Sequence, residues 1–230
     1  MLILVDKRAP GVARKNLRKF GEVVEFSTEG LVYNAISGHP DIFITQFPGI
    51  NIIAPNLPDE YKIQLKNHNI HLVGGDRPVG DKYPETAGYN AVATSKYFIH
   101  NLKISDKRVL EAAAAKTMVH VRQGYARCNL LWLNDEKMLT SDKGISATLA
   151  NLGVDVCFVD PEKIILPGFK NGFIGGAGGV YRNVVYLLGS LKHLTDGKNI
   201  GVFVRKSGFE IIELYDGPLF DGGGIFFLGG

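Results

Sequence analysis

Short apolar runs, polar reversals and helix-like stretches follow one another along this chain in a recurring order. The clearest instance is Gly124 to Asp142: a polar lip from Tyr125 to Asn129, the apolar run Leu130 to Leu133, a tight reversal at Asn134 to Lys137, a second apolar run, and Ser141-Asp142 ahead of a helix-like segment. Short apolar runs bounded by turn residues predict buried strands. An acid-capped segment after the second run predicts a helix. With the strand Val154 to Val159 behind it, the unit reads strand, strand, helix, strand.

Looser copies appear on either side. Asp41 to Thr45 and Asn51 to Ala54 predict two strands, Pro58 to Asn67 a helix and Ile70 to Val73 a third strand. Tyr89 to Ala93 and Tyr97 to His100 open the next copy, followed by a helix from Ser105 to Lys116, with Ser105 as the expected N-cap, and a strand from Thr117 to Val121. The fourth copy has glycine from 172 to 179, a strand at Val184 to Leu188, Thr195-Asp196 in the capping place and a strand at Phe209 to Leu214. Its helix is the least defined, because Val202-Phe203-Val204 also suits a strand.

The first residues predict strand, helix, strand: Leu2 to Val5, a helix from Pro10 to Lys19 with Val12, Leu17 and Phe20 on its apolar stripe, and Glu22 to Phe26. This opening lacks one strand, and the run Ile225 to Leu228 supplies it. Pairing the two segments completes a fifth unit and closes a ring, which removes free sheet edges.

At 230 residues and 45% hydrophobic, the chain suits a single domain over 1–230. No apolar run reaches the roughly 18 residues a membrane span needs, and charge appears too early for a leader, so the expected location is cytoplasmic. Two cysteines, Cys128 and Cys157, are too few for a disulfide framework, and neither has metal-binding spacing. Neither a metal nor a cofactor is expected. The net charge of +3 is modest and basic residues cluster only at Arg14 to Lys19. The 28 glycines gather at 74–80, 168–179 and 217–230, where backbone must bend sharply or approach a neighbour closely. The segment GFIGGAGG lacks the spacing of a dinucleotide loop, and crowding around a central pore accounts for it better.

Five such units, the last shared between the ends of the chain, resemble the pentein or α/β-propeller fold, seen in guanidino-group-modifying enzymes and in the ribosome anti-association factor. His39-Pro40-Asp41 resembles the His-x-Asp element of arginine and agmatine deiminases. Gly74-Gly75-Asp76 resembles their Gly-Gly-Asp element, and Gly222-Gly223-Gly224 the glycine run before their nucleophilic cysteine. Two departures stand out: Phe226-Phe227 occupies the place of the enzymes' His-Cys, and the His-x-Asp element precedes Gly-Gly-Asp instead of following it. The blade rhythm around Leu130 to Asp142 is closer to that of the anti-association factor.

Two functions follow from these residues, and the sequence leaves both open. The first is a small-molecule site in the pore, a cysteine-dependent hydrolase or transferase for a guanidino- or amide-type compound. Cys128, expected to open the first strand of its blade, would be the nucleophile, His39 the proton carrier, and Asp41 its orienting or charge-recognising partner. Asp76, Tyr89, Asn90, Asn129 and Asp221 fall at or beside predicted lips and would supply hydrogen bonds or charge to the ligand. Each also has an ordinary reading: a buried structural cysteine for Cys128, a turn for His39 and Asp41, caps and turns for the others. The second function is a non-catalytic ring that binds the ribosome or another macromolecule, with the Arg14 to Lys19 segment as its basic face.

Overall fold

The computed structural model describes residues 1–229. Fifteen strands are grouped in five three-stranded sheets. In each sheet an inner strand pairs antiparallel with a middle strand, a helical connection follows, and an outer strand returns parallel to the middle one. A parallel return needs a crossover connection, which is what places a helix in each unit.

The sheet that joins the two ends of the chain contains β1 (Leu2–Asp6), β2 (Glu22–Phe26) and β15 (Phe226–Leu228), with α1 (Gly11–Leu17) between β1 and β2. Leu2 faces Leu228 and Leu4 faces Phe226 in antiparallel register, so the expected closure is present. The second sheet is β3 (Ile44–Phe47), β4 (Ile50–Ile53) and β5 (Leu72–Gly74), with α2 (Asp59–Asn67). The third is β6 (Val92–Ala93), β7 (Tyr97–His100) and β8 (Thr117–His120), with α3 (Lys107–Ala112). A short helical turn, α4 (Ala126–Asn129), leads into β9 (Leu130–Trp132), which joins β10 (Lys137–Thr140) and β11 (Asp155–Phe158) with α5 (Lys143–Ala150). The fifth is β12 (Gly178–Tyr181), β13 (Val184–Leu187) and β14 (Glu210–Glu213), with α6 (Gly197–Lys206). Inner strands β3, β6, β9, β12 and β15 surround the axis, and their leading ends all point to one mouth of the ring.

Burial explains both the agreement with the sequence pattern and its failures. β1 is buried at every position, as its unbroken apolar run requires. Outer strands such as β11 and β14 are exposed at both ends and half-buried between, because each has only one sheet neighbour. Several expectations need correction at the inner strands. Asp41 does not begin a strand: Pro40 fixes a 3-10 turn over Pro40–Ile42 and pairing starts at Ile44. Pairing in the third unit starts only at Val92, so Tyr89 and Asn90 precede the strand. Cys128 likewise lies in α4, before its strand instead of at its start. The glycine segment of the fourth copy holds an inner strand, Gly178–Tyr181, that the sequence pattern hid.

Other differences lie on the outside. Asp106, not Ser105, caps α3 by accepting from Arg108 N–H. Val12 is 59% exposed while Ala13 is buried, so the core stripe of α1 is Ala13 and Leu17. Val202-Phe203-Val204 is helical, with Ile200 and Val204 turned inward. Asp142 caps α5 through Ile145 N–H at 2.8 Å, as the pattern implied. Of the basic residues in the N-terminal segment, Arg14 and Arg18 both pair with Glu25.

Candidate active site

At the mouth formed by the leading ends of the inner strands, side chains from four blades meet. His39 and Asp41 come from the turn before β3, Asn90 from the residues before β6, Arg127 and Cys128 from α4 before β9, and Asp221 from the approach to β15. All are buried, with at most 4% exposure. Asp6, at the last position of β1, borders the group and is 0% exposed.

Cys128 Sγ–H donates to Asp41 Oδ2 at 2.9 Å. Asn90 organises both residues: its Nδ2 donates to Asp41 O at 3.2 Å and to Cys128 Sγ at 3.4 Å, while its Oδ1 accepts from Arg127 N at 2.8 Å and Cys128 N at 3.2 Å. His39 Nδ1 lies 4.0 Å from Asp41 Oδ1, and its Nε2 lies 3.9 Å from Asp6 Oδ2. Neither ring nitrogen makes a hydrogen bond, so Asp41 does not orient the imidazole directly. One donor atom each of His39, Asp41 and Cys128 lies within 4.8 Å of the other two. One water spans such a gap.

Asp221 is tied to backbone: Oδ1 accepts from Gly223 N at 3.1 Å and Oδ2 from Phe173 N at 2.9 Å. Gly223 has φ +69°, and a Cβ there would lie 2.5 Å from His39 Cβ. Only glycine lets this turn close against the histidine. The same crowding governs the glycines before β12, where a Cβ on Gly175 would run into the Arg127 and Cys128 carbonyls and one on Gly176 into the Asp221 carboxylate.

Burial dominates the electrostatics. It pushes Asp41 up to about 6 against the opposing pull of Arg127 and the Cys128 hydrogen bond. It also raises Asp221 to about 6, against the opposing pull that His39 would exert when protonated and that of the Gly223 N–H. Burial and the Asp41 and Asp221 charges lift the Cys128 thiol well above its ordinary range, and burial lowers His39. The resting centre therefore holds a neutral thiol and a neutral imidazole beside two acids that titrate just below neutrality. Arg127 is their internal counter-ion. Its Nη1 donates to Gly175 O at 2.6 Å, and its guanidinium carbon lies 4.9 Å from the Trp132 ring and 5.4 Å from Phe226.

Among the described residues, five buried side-chain polar atoms lack a partner: His39 Nδ1 and Nε2, Asp41 Oδ1, Arg127 Nε and Asn129 Oδ1. Orphaned polar atoms are rare inside proteins, and a cluster of them marks a place where water or ligand belongs. The nitrogen, oxygen and sulfur donors of His39, Asp41 and Cys128 are also a set that suits a transition metal, which sequence spacing could not reveal. Aromatic side chains from separate loops meet beside α4. Tyr33 Oη donates to Tyr125 Oη at 3.2 Å, Tyr125 shares a hydrogen bond with Thr86, and Tyr33 packs on Phe169 with centroids 6.0 Å apart.

Of the remaining sequence candidates, Asn129 adjoins the centre, and Tyr89 and Asp76 lie away from it. Asn129 is buried next to the centre, with Nδ2 on Tyr125 O at 3.0 Å. Tyr89 sends its hydroxyl to Arg77 O at 2.5 Å and lines a separate cavity of about 170 Å³ with Pro84 and Lys103. Asp76 is exposed, its N–H bound by the Asp106 carboxylate, and does not reach the axis. Arg127 and Asp6 were missed. Asp6 carried a signal, a lone acid ending the buried run Leu2 to Val5; Arg127 had only its place in the lip beside Cys128.

Five strand–strand–helix–strand blades closed by the ends of the chain, with polar side chains converging on the axis, define a pentein fold. The chain belongs to the family whose model, described as "Family of unknown function (DUF6873)", matches residues 4–226. Among solved structures it is similar to the inosamine-phosphate amidinotransferase of Streptomyces griseus, with a TM-score of 0.55, 12% identity, and 92% of this chain and 78% of that one covered. It is similar also to DDAH from Pseudomonas aeruginosa complexed with citrulline (TM-score 0.53, 8% identity, 92% and 91% covered) and to C. jejuni agmatine deiminase (TM-score 0.53, 10% identity, 92% and 74% covered). No curated protein matches by sequence. No helix among the described residues is long and apolar enough to cross a membrane.

Proposed function

We propose that the buried centre carries out cysteine-dependent hydrolysis or group transfer at the central carbon of a guanidino or amidino compound. The observation that carries this reading is the Cys128–Asp41 hydrogen bond beside a buried cluster of unpartnered polar atoms. Fold similarity to an amidinotransferase, a deiminase and DDAH agrees with it as analogy only.

The chemistry follows from the charges. Asp41 and Asp221 against Arg127 leave one excess negative charge when both acids are ionised, which suits a single planar cation. A guanidinium placed there favours the thiolate by offsetting the burial that holds the thiol protonated. Cys128 Sγ bonds to the guanidino carbon as its proton passes to Asp41. A C–N bond then breaks, and the departing amine takes a proton by way of Asp41 or His39. Water breaks the resulting C–S bond in a hydrolase, an acceptor amine in a transferase.

The test is competitive alkylation read by peptide mass spectrometry. Chloroacetamidine, a cation, should label Cys128 at least about tenfold faster than neutral chloroacetamide, and Asp41→Asn should abolish the preference. Equal rates for the two reagents in the wild type would refute the proposal.

A further inference from the structure

The axis has a second end, and a different set of side chains gathers there. Phe47, Trp132 and Phe227 lie at or near the trailing ends of β3, β9 and β15, and they line a cavity of about 380 Å³ together with Gln46, Asp135 and Arg127. Arg127 links the two ends. It lines this cavity, yet it is only 3% exposed and its Nε has no partner.

The cavity presents one charge of each sign, with the Phe47, Trp132 and Phe227 rings set among polar neighbours such as Gln46, Thr94 and Asn134. Asp135 is held at the rim by Thr94 and Ser95 hydroxyls and by Lys96 N–H at 3.2 Å. Oδ1 accepts two of these bonds and Oδ2 only the one from Ser95, so an accepting position on Oδ2 remains open. Gln46 Nε2 donates to Phe227 O at 3.2 Å and braces the opposite wall. Such an arrangement suits a small zwitterion: a carboxylate toward the buried guanidinium, an ammonium toward Asp135, and an apolar body between Trp132, Phe47 and Phe227.

We propose that this end of the ring is a second ligand site, reached from the opposite end to the Cys128 centre and sharing only Arg127 with it, that takes a free α-amino acid with an apolar side chain. Its floor is the Arg127 guanidinium, its ammonium anchor Asp135 and its side-chain wall Trp132. The assignment does not depend on whether Cys128 performs chemistry.

Isothermal titration calorimetry of the full chain with L-phenylalanine, L-leucine and L-tryptophan tests it, because the readout needs no activity. At least one should bind with a dissociation constant below about 1 mM, and its α-amide and its des-amino acid should each bind at least about tenfold more weakly. Trp132→Ala and Asp135→Asn, both outside the Cys128 centre, should weaken binding by a similar factor, and Cys128→Ser should leave it unchanged. Thermal melts establish that each variant folds. The proposal is overturned if none of the three amino acids binds, if the amide or the des-amino acid binds as well as the parent, or if Cys128→Ser alone removes binding.

Discussion

Replacing Asp41 with asparagine should make the protein more stable at neutral pH. Burial raises this carboxyl from 3.8 to about 6, so the folded state binds a proton more readily than the unfolded chain. With a raised folded-state pKa, a carboxyl favours folding least where both states are ionised, and its penalty grows as pH climbs from about 4 to about 6. At 1.36 kcal/mol per unit, the ionised Asp41 costs about 3 kcal/mol at pH 7.5 and about 1 kcal/mol at pH 4.5, where the folded state is mostly protonated. Asparagine keeps an acceptor for Cys128 and removes the charge. Urea denaturation should therefore show Asp41→Asn about 3 kcal/mol more stable at pH 7.5, the gap shrinking to about 1 kcal/mol at pH 4.5. For a chain of this length, 3 kcal/mol moves the melting midpoint by about 6 °C. A variant that is less stable than wild type at pH 7.5, or whose advantage does not change with pH, would mean that Arg127 compensates Asp41 fully and that the buried-acid argument is wrong.

His100 should act in the opposite sense. Its ring contacts Ser105 Oγ at 2.6 Å and Gly124 O at 2.8 Å, and burial lowers it to about 4. Its contribution is present above pH 6.5 and is lost, by about 3 kcal/mol, as pH falls toward 4; His100→Asn should flatten that part of the pH–stability curve. Asn90→Ala leaves the Cys128 N–H, and part of the bonding of Arg127 N–H, unsatisfied, so equilibrium unfolding should show a loss of about 1–3 kcal/mol. Gly223→Ala forces a side chain into a positive-φ turn against His39 and should lower stability by about 2–5 kcal/mol in the same assay; a neutral result would mean that the turn can shift away from the histidine.

Much of the ring was legible because its strands are short apolar runs at regular intervals, and a run such as Leu2 to Val5 has few alternatives once it is bounded by Asp6 and a Pro-Gly turn. The residues immediately before the inner strands were harder to place. Asp41, Tyr89 and Cys128 sit in sequences that look extended, yet each precedes its strand in a turn whose shape is set by contacts across the axis. Sequence spacing brought His39 and Asp41 together because they share one turn. Their meeting with Cys128, 87 residues from Asp41, required the closed ring. Arg127 could not be ranked from its neighbours, since its significance comes from Gly175, Trp132 and Phe226, which belong to three different blades. Asp76 matched a motif locally but lies on an exposed segment that never reaches the centre.

Because every blade delivers its pre-strand residues to the same mouth, a reactive group need not stay in one blade to stay near the axis. The terminal blade delivers Asp221 and rests Phe226 against the Arg127 guanidinium, while a different blade supplies the thiol. Chemistry in such a scaffold is free to rotate: a functional side chain lost from one spoke can be regained from another, with its distance to the remaining partners roughly preserved. An alignment that follows the chain linearly would score such an exchange as a missing residue, whereas superposition after turning one ring against the other by whole blades would reveal it.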